Sequence, residues 1–502
     1  MSAALAARLA AARAVGALSR LRGGGATSAP GKALLRMQPD AIAVLGRRLA
    51  RGSAVISATN GKTTTAAMAA AILGGDGVEL VHNRAGANMA GGIASTLLDA
   101  ARAHGSIAGE LGLFEVDEMW LQGVVAQLRP RAILLGNLFR DQLDRYGELD
   151  TIAERWSTTV AGGPGGQARL VLNADDPALA DLGRDAGERV VYFGVEDDSL
   201  ALPGLSHAAD AKHCRNCGAP YVFDAVYLGH LGRYHCASCG RARPSGEALA
   251  VRASDVRLEG VRAARFQLHT PQGSAEVALA LPGLYNVYNA LAAAALAHTL
   301  GVGLPAIVAG LQNTTAAFGR AESVTLGAGA DRRELRILLV KNPAGANEVL
   351  RTLALEPGEH DVLGILNDKI ADGRDVSWIW DADFELLADR IRRVTCAGTR
   401  AAELAVRLKY AGVDPERIRV EPDLAEALAA ASADRPAGSD EKRPTDAECL
   451  TGADAGWDKG SSRGAPPPLY ALPTYTAMLA LHKLLARESS SSPTRRLRST
   501  LR

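Results

Sequence analysis

Residues 58–64, Ala-Thr-Asn-Gly-Lys-Thr-Thr, lie between two apolar runs, the partly β-branched 53–57 and the Ala-rich 66–73. That order reads as strand, loop and helix. A Gly-Lys-Thr loop in this setting is a cradle for phosphate. Gly61 lets backbone N–H groups approach an anion, and the helix that follows points its N-terminus at it. Lys62 would sit on the β- and γ-phosphates of a nucleotide, and Thr63 would offer a hydroxyl to Mg²⁺. Thr59, Asn60 and Thr64 complete the candidate phosphate-binding set. The general form of such loops opens with a glycine where this chain has Ile56, and a bare Gly-Lys-Thr arises by chance. The strand-to-helix setting gives the match its weight.

Short apolar runs continue at 132–135, 170–172 and 190–193, separated by helix-like stretches. The alternation predicts an α/β fold, a mostly parallel sheet covered by helices. Residues 266–281 read as a hairpin turning near Pro271-Gln272-Gly273, followed by an Ala-rich helix over 288–299. After Arg320 a new α/β unit begins, with strands at 337–340, 362–366, 394–397 and 418–420 and a helix at 347–353. With 502 residues, and roughly 100–200 residues per domain, about three domains are expected. The boundaries read as an N-terminal helical docking segment (1–50), a nucleotide-binding central domain (51–319) and a C-terminal α/β domain (320–487). Residues 431–468, rich in Asp, Gly, Ser, Pro and Lys, and the Ser/Arg tail 488–502 read as disordered.

Composition excludes little and supports a soluble globular protein: 47% of residues are hydrophobic and 22% charged. A net charge of +1 gives no global field favouring nucleic acid or an anionic membrane. Residues 2–36 carry Arg but no acidic residue and imitate a transit segment. A helix docked on the first domain is the plainer reading. Arg8, Arg13 and Arg20 interrupt its apolar runs, and nothing nears the roughly 18 apolar residues a spanning helix needs. A cytoplasmic protein without a transmembrane segment is the expectation. Glu115-Val116-Asp117-Glu118 follows the apolar 111–114, where a strand end would present carboxylates to Mg²⁺. Glu115 is the candidate ligand; a solvated charge run is the alternative.

Four of the six cysteines fall in two C-x-x-C pairs, Cys214/Cys217 and Cys236/Cys239, separated by 18 residues. Such knuckles place two thiolates on one side of a tight turn, here helped by Gly218 and Gly240. Two knuckles close a tetrahedron with no position left for water, which predicts a structural zinc site in a zinc-ribbon insertion spanning about 211–245. Free cysteines are the alternative. His213 and His235 read as neighbours, not ligands.

Several segments resemble the Mur ligase family. They are the loop TNGKTT at 59–64, Asp141-Gln142-Leu143-Asp144-Arg145-Tyr146-Gly147, Asn173-Ala174-Asp175-Asp176-Pro177, Gly283-Leu284-Tyr285-Asn286-Val287-Tyr288-Asn289-Ala290, and Gly319-Arg320. They occur in that family's order. The resemblance implies a P-loop central domain and a Rossmann-like C-terminal domain. It places Asn173 and Asn289 on the nucleotide side and brings Arg320 to phosphate as the C-terminal domain closes. Gln142 stands where the family has a His that helps hold metal; its amide oxygen is a candidate Mg²⁺ ligand. The family's carbamylated Lys has no counterpart. The Asp and His that precede Asn-Pro are missing near Lys341-Asn342-Pro343, so the amino-acid acceptor site should differ.

NPAGANEV at 342–349, ADGRDVSWIWD at 371–381, LPTYTAM at 472–478 and the four-cysteine insertion are similar to one branch of that family, the MurT-type ligase subunits of lipid II isoglutaminyl synthase. That likeness implies ATP-dependent phosphorylation of the α-carboxylate of D-glutamate in the lipid II stem peptide. Ammonia from a separate GatD-like glutaminase subunit then gives D-isoglutamine at the inner face of the membrane. It also implies that the ligase lends the glutaminase an acid that orients its catalytic His. Asp375 is the first choice, then Asp372 and Asp381; Asp-Gly-Arg-Asp is equally a good turn sequence. A stand-alone amino-acid ligase and a zinc-ribbon nucleic-acid-binding ATPase are the competing readings.

Overall fold

β1 (Ser53–Ser57) is buried along its whole length. It sends Ala54 and Ile56 into one apolar cluster and Val55 into another. β4 (Ala132–Leu135) and β5 (Arg169–Asn173) divide their side chains in the same way. A strand buried on both faces belongs inside a parallel sheet with helices on either side. The computed structural model describes the chain except residues 1–2, 22–26, 84–86, 103–105, 142–148, 162–164, 208, 315–319, 328–331, 434–466 and 492–502. The expected 431–468 insertion and the 488–502 tail fall largely outside the described residues.

The chain forms two compact units that are not contiguous in sequence. The first comprises Met1–Phe318, Lys341–Glu356 and Gly373–Asp383; the second comprises Gly319–Val340, Pro357–Asp372 and Phe384–Arg502. The first is built on a nine-stranded sheet. Seven of its strands run parallel in the order β2 (Leu80–His82), β3 (Leu111–Glu115), β1, β4, β5, β6 (Val190–Val195) and β9 (Val251–Glu259). β10 (Ala263–Thr270) and β11 (Gly273–Leu279) extend it as an antiparallel edge. The expected hairpin is this pair; β2 and β9 gave no distinct apolar run in the sequence.

One face of the sheet is covered by the helix Lys62–Gly75, which packs against the helices Leu284–Thr299 and Leu304–Gln312. The N-terminal helix Ala3–Leu21 packs on the helix Ala29–Met37, and its Leu5, Leu9 and Ala12 lie in the core on the other face. β7 (Val222–Leu228) and β8 (Leu231–His235) form a separate two-stranded sheet within the cysteine-rich segment.

The second unit carries a six-stranded sheet in the order β12 (Arg320–Leu326), β13 (Arg333–Leu338), β17 (Leu469–Pro473), β14 (His360–Ile365), β15 (Ile391–Ala397) and β16 (Ile418–Val420). Only β12 is antiparallel. Asp361 on β14 is buried with Arg333 of β13 and Arg392 and Arg393 of β15 on its carboxylate.

Candidate functional site

The phosphate loop is fixed from several directions. Thr59 N–H donates to the Asn137 carbonyl at 3.0 Å, and its hydroxyl donates to the Phe139 carbonyl at 3.1 Å. Asn60 and Asn137 exchange two hydrogen bonds: the Asn60 N–H donates to Asn137 Oδ1 at 2.8 Å, and Asn137 Nδ2 donates to the Asn60 carbonyl at 2.9 Å. Gly61 has φ +82°, and a Cβ there would lie 2.0 Å from Asn289 Oδ1. Asn289 accepts from the Thr65 hydroxyl at 3.2 Å and donates to Asn286 Oδ1 at 3.1 Å. The two asparagines of the segment 283–290 therefore shape the underside of the loop.

Lys62 is buried and donates to Glu118 Oε2 at 2.7 Å and to the Ala58 carbonyl. Burial works to lower its pKa, but the carboxylates of Glu118, Glu115 and Asp117 outweigh burial and hold it above its ordinary value. All three carboxylates are buried, so several acidic groups face one ammonium. Thr63 stands half-buried in the first turn of the helix that Lys62 opens. Glu118, not Glu115, is the direct partner of Lys62.

Asn173 is part of the frame behind the loop. It is fully buried, its Nδ2 donates to the Gly136 carbonyl, and its Oδ1 accepts from Asp175 N–H, each at 3.0 Å. One N–H and one lone pair of the amide are thus engaged inside the protein. Asp176 accepts from Leu138 N–H at 2.9 Å and caps the short helix Pro177–Leu182. Asp175 accepts from Tyr288 OH at 2.6 Å and from Arg243 Nε at 2.5 Å. Arg243 lies just beyond the second cysteine pair. It thus ties the cysteine-rich segment to the helix that carries Asn286 and Asn289.

Lys341 and Asn342 also reach the loop. Lys341 Nζ lies 2.6 Å from Asp141 Oδ2 and 3.2 Å from the Thr59 carbonyl. Asn342 Nδ2 donates to Asn60 Oδ1 at 3.0 Å, and Asn60 Nδ2 donates back at 3.4 Å. The sequence marked these residues only as a departure from the family pattern. Of Arg320 only the backbone is described, as the first residue of β12, and Gln142 lies outside the described residues.

In the cysteine-rich segment each knuckle closes on its own turn: Gly218 N–H donates to the Cys214 carbonyl at 2.8 Å, and Gly240 N–H to the Cys236 carbonyl at 2.9 Å. The Sγ atoms of Cys214, Cys217, Cys236 and Cys239 all lie within 4.8 Å of one another. A tetrahedron of ~2.3 Å zinc–sulfur bonds needs sulfurs about 3.8 Å apart, so the four thiols fit zinc. Hydrogen bonding from Arg241 N–H pushes the Cys239 thiol down to about 6, favouring the thiolate that metal binds. His235 turns instead to Asp224, at 3.1 Å.

The three candidate aspartates differ sharply. Asp372 is buried, and its two oxygens accept from the N–H and hydroxyl of Thr476 in the first turn of the helix Tyr475–Ser491. Asp381 lies 3.5 Å from Arg140. Asp375 is exposed, with one oxygen taken by Ser377 N–H at 2.8 Å. That hydrogen bond holds its pKa below the ordinary carboxylate value.

Comparison with known proteins decides the family. Residues 56–219 match the Mur ligase middle domain and residues 339–441 the MurT ligase C-terminal domain. The chain is 33% identical over 412 residues, 82% of its length and 89% of the relative's, to the lipid II isoglutaminyl synthase (glutamine-hydrolyzing) subunit MurT of Staphylococcus aureus. It belongs to the MurT family. The MurT subunit of Streptococcus pneumoniae is 31% identical over 470 residues, 93% of this chain and 94% of the relative. A pseudomurein peptide ligase type C from Methanothermus fervidus shares the fold, with a TM-score of 0.61 at 20% identity over 89% of this chain and 80% of that one. The chain is accordingly an ATP-dependent ligase with the Mur ligase fold.

Proposed function

We propose that this chain amidates the α-carboxylate of D-glutamate in the stem peptide of lipid II, acting with a GatD-like glutaminase subunit. ATP phosphorylates the carboxylate, and ammonia from glutamine displaces phosphate to give D-isoglutamine. The observation that carries the reading is the phosphate loop with Lys62 facing Glu118, Glu115 and Asp117 in a chain alike to MurT subunits over most of its length. The loop supplies phosphate binding; the relatives, named as glutamine-hydrolysing lipid II isoglutaminyl synthase subunits, supply the substrate and the ammonia source.

Formation of an acyl phosphate is positioning plus charge neutralisation. Lys62 and the loop amides would hold the terminal phosphates. Thr63 and Glu115 would hold Mg²⁺, joined by Gln142; the bound ion would neutralise phosphate charge. Asn289 supports the loop from beneath. Arg320 would meet phosphate on closure of a Rossmann-like C-terminal domain, keeping water from the acyl phosphate. Cys214, Cys217, Cys236 and Cys239 would hold a structural Zn²⁺ in a zinc-ribbon insertion. Asp375, exposed and ionised, would orient the catalytic His of the glutaminase; the burial of Asp372 and its contacts with Thr476 favour Asp375 over it. The likeness to MurT subunits favours a reaction at the cytoplasmic face. Among the described residues no helix is long and apolar enough to cross a membrane.

The test is co-purification with the glutaminase followed by amidation of lipid II. Product that depends on both glutamine and ATP is expected. Phosphate release stimulated by an amino acid but not by ammonia overturns the proposal.

A further inference from the structure

The phosphate loop is touched by a lysine that lies 282 positions away from it in sequence. The geometry points to Lys341 as a second cation for the transferred phosphoryl group, held in place by Asp141; this inference rests on the acyl-phosphate reading above. The Lys341 ammonium lies 2.6 Å from Asp141 Oδ2 and 3.2 Å from the Thr59 carbonyl, at the first residue of the loop. An ammonium has three N–H donors; among the described residues these two contacts leave the third unused.

Three observations argue that the charge, not merely the contact, matters. First, the neighbouring Asn342 already ties this segment to the loop through a reciprocal amide pair with Asn60. A latch needs no lysine beside it. Second, the loop's own Lys62 is drawn into the acidic side of the site by Glu118 at 2.7 Å. The transferred phosphoryl spreads its charge over three oxygens, more than one ammonium meets. Third, Asp141 faces a small cavity that it lines with Thr59 and Glu118, and its Oδ1 is buried with no hydrogen-bond partner among the described residues. A carboxylate anchored through one oxygen on Lys341 holds that ammonium at the lip of the loop. A partly exposed pair of this kind contributes little to stability by itself.

In the step Lys341 serves, a carboxylate oxygen of the substrate forms a bond to the γ-phosphorus. The bond from that phosphorus to the bridging oxygen breaks, ADP leaves with the electron pair, and no proton moves. The ammonium meets charge as it shifts onto the equatorial oxygens.

The test compares the nucleotides ADP and ADP–aluminium fluoride, a mimic of the planar phosphoryl group, by calorimetry with Mg²⁺ present. Lys341→Met is expected to leave ADP affinity within about threefold and to weaken ADP–aluminium fluoride by roughly 10²–10³, the usual loss for one charge-stabilising donor. Lys341→Arg should recover about tenfold or more of that loss, because a cation is restored. Equal losses for both ligands, or no loss for either, overturn the assignment. Should Lys341→Met fail to fold, Asp141→Asn decides, with a smaller selective loss expected and an unselective one refuting. A wild-type complex that shows the nucleotide contrast but amidates nothing overturns the proposed reaction and leaves the Lys341 assignment standing.

Discussion

Replacing Gly61 by alanine tests the loop most directly. Its φ of +82° is a left-handed conformation, which costs an L-residue roughly 1–2 kcal/mol. The new Cβ would also lie 2.0 Å from Asn289 Oδ1 and 2.8 Å from its Cγ. Asn289 is not free to swing away, since it is held by Thr65 and Asn286 and is buried. Forcing a methyl into filled space costs about 1–3 kcal/mol. The combined penalty is therefore about 2–5 kcal/mol, divided between lost stability and lost nucleotide affinity. If all of it fell on affinity, at about tenfold per 1.4 kcal/mol, ADP binding would weaken roughly 30- to several thousand-fold. Calorimetry with ADP and thermal unfolding together measure the sum. Gly61→Ala combined with Asn289→Ala should cost about 1–3 kcal/mol less than the two single changes added, because the clash is removed and the backbone strain stays. Additivity within about 0.5 kcal/mol would refute the steric reasoning.

Asp375→Asn in the two-subunit complex should lower glutamine hydrolysis by roughly 10²–10⁴ while leaving ADP binding to this chain unchanged; unaltered hydrolysis refutes the assignment. Removal of zinc with a chelator, followed by elemental analysis and thermal unfolding, should release one metal per chain and lower the melting temperature. Cys217→Ser should bind metal no better than the chelated protein, and a full complement of zinc in that variant refutes the four-cysteine site. The second unit should unfold in acid through Asp361. Burial pushes this carboxyl up, but Arg393, Arg392 and Arg333 hold it below its ordinary value. The stability it contributes is therefore complete above the unfolded carboxylate range and disappears as pH falls through the lower folded value. Asp361→Asn should flatten that part of the acid profile, and a profile identical to wild type refutes the role.

The phosphate loop and the central strands were legible because local pattern decides them. Strands buried on both faces read as continuous apolar runs, and 53–57, 132–135 and 170–172 all lie within the sheet. β17 was harder. Residues 469–473 stand in the middle of the second sheet, between β13 and β14, although their predecessor β16 is its far edge. Leu-Tyr-Ala-Leu-Pro carries a strong β signal only once its neighbours are known, since sequence order says nothing about insertion between earlier strands. β2 is three residues long, too short for alternation to register.

The candidate site divides along the same line. Residues next to one another in sequence, Thr59 to Thr64, could be read as a unit. The partners that fix them come from elsewhere: Asn137 from the end of β4, Glu118 from beyond β3, Asn289 from a distant helix, Lys341 from past the second sheet's first hairpin. The contacts of Asn173 inside the frame were equally hidden from the sequence. Its amide joins the ends of β4 and β5 through Gly136 and Asp175. Asp175 in turn gathers Tyr288 and Arg243, with burial pushing its pKa up and Arg243 as the strongest opposing charge. Removing one partner of such a buried pair costs about 3–5 kcal/mol. The segment Asn173 to Pro177 thus holds the helix beneath the loop in register with the cysteine-rich insertion.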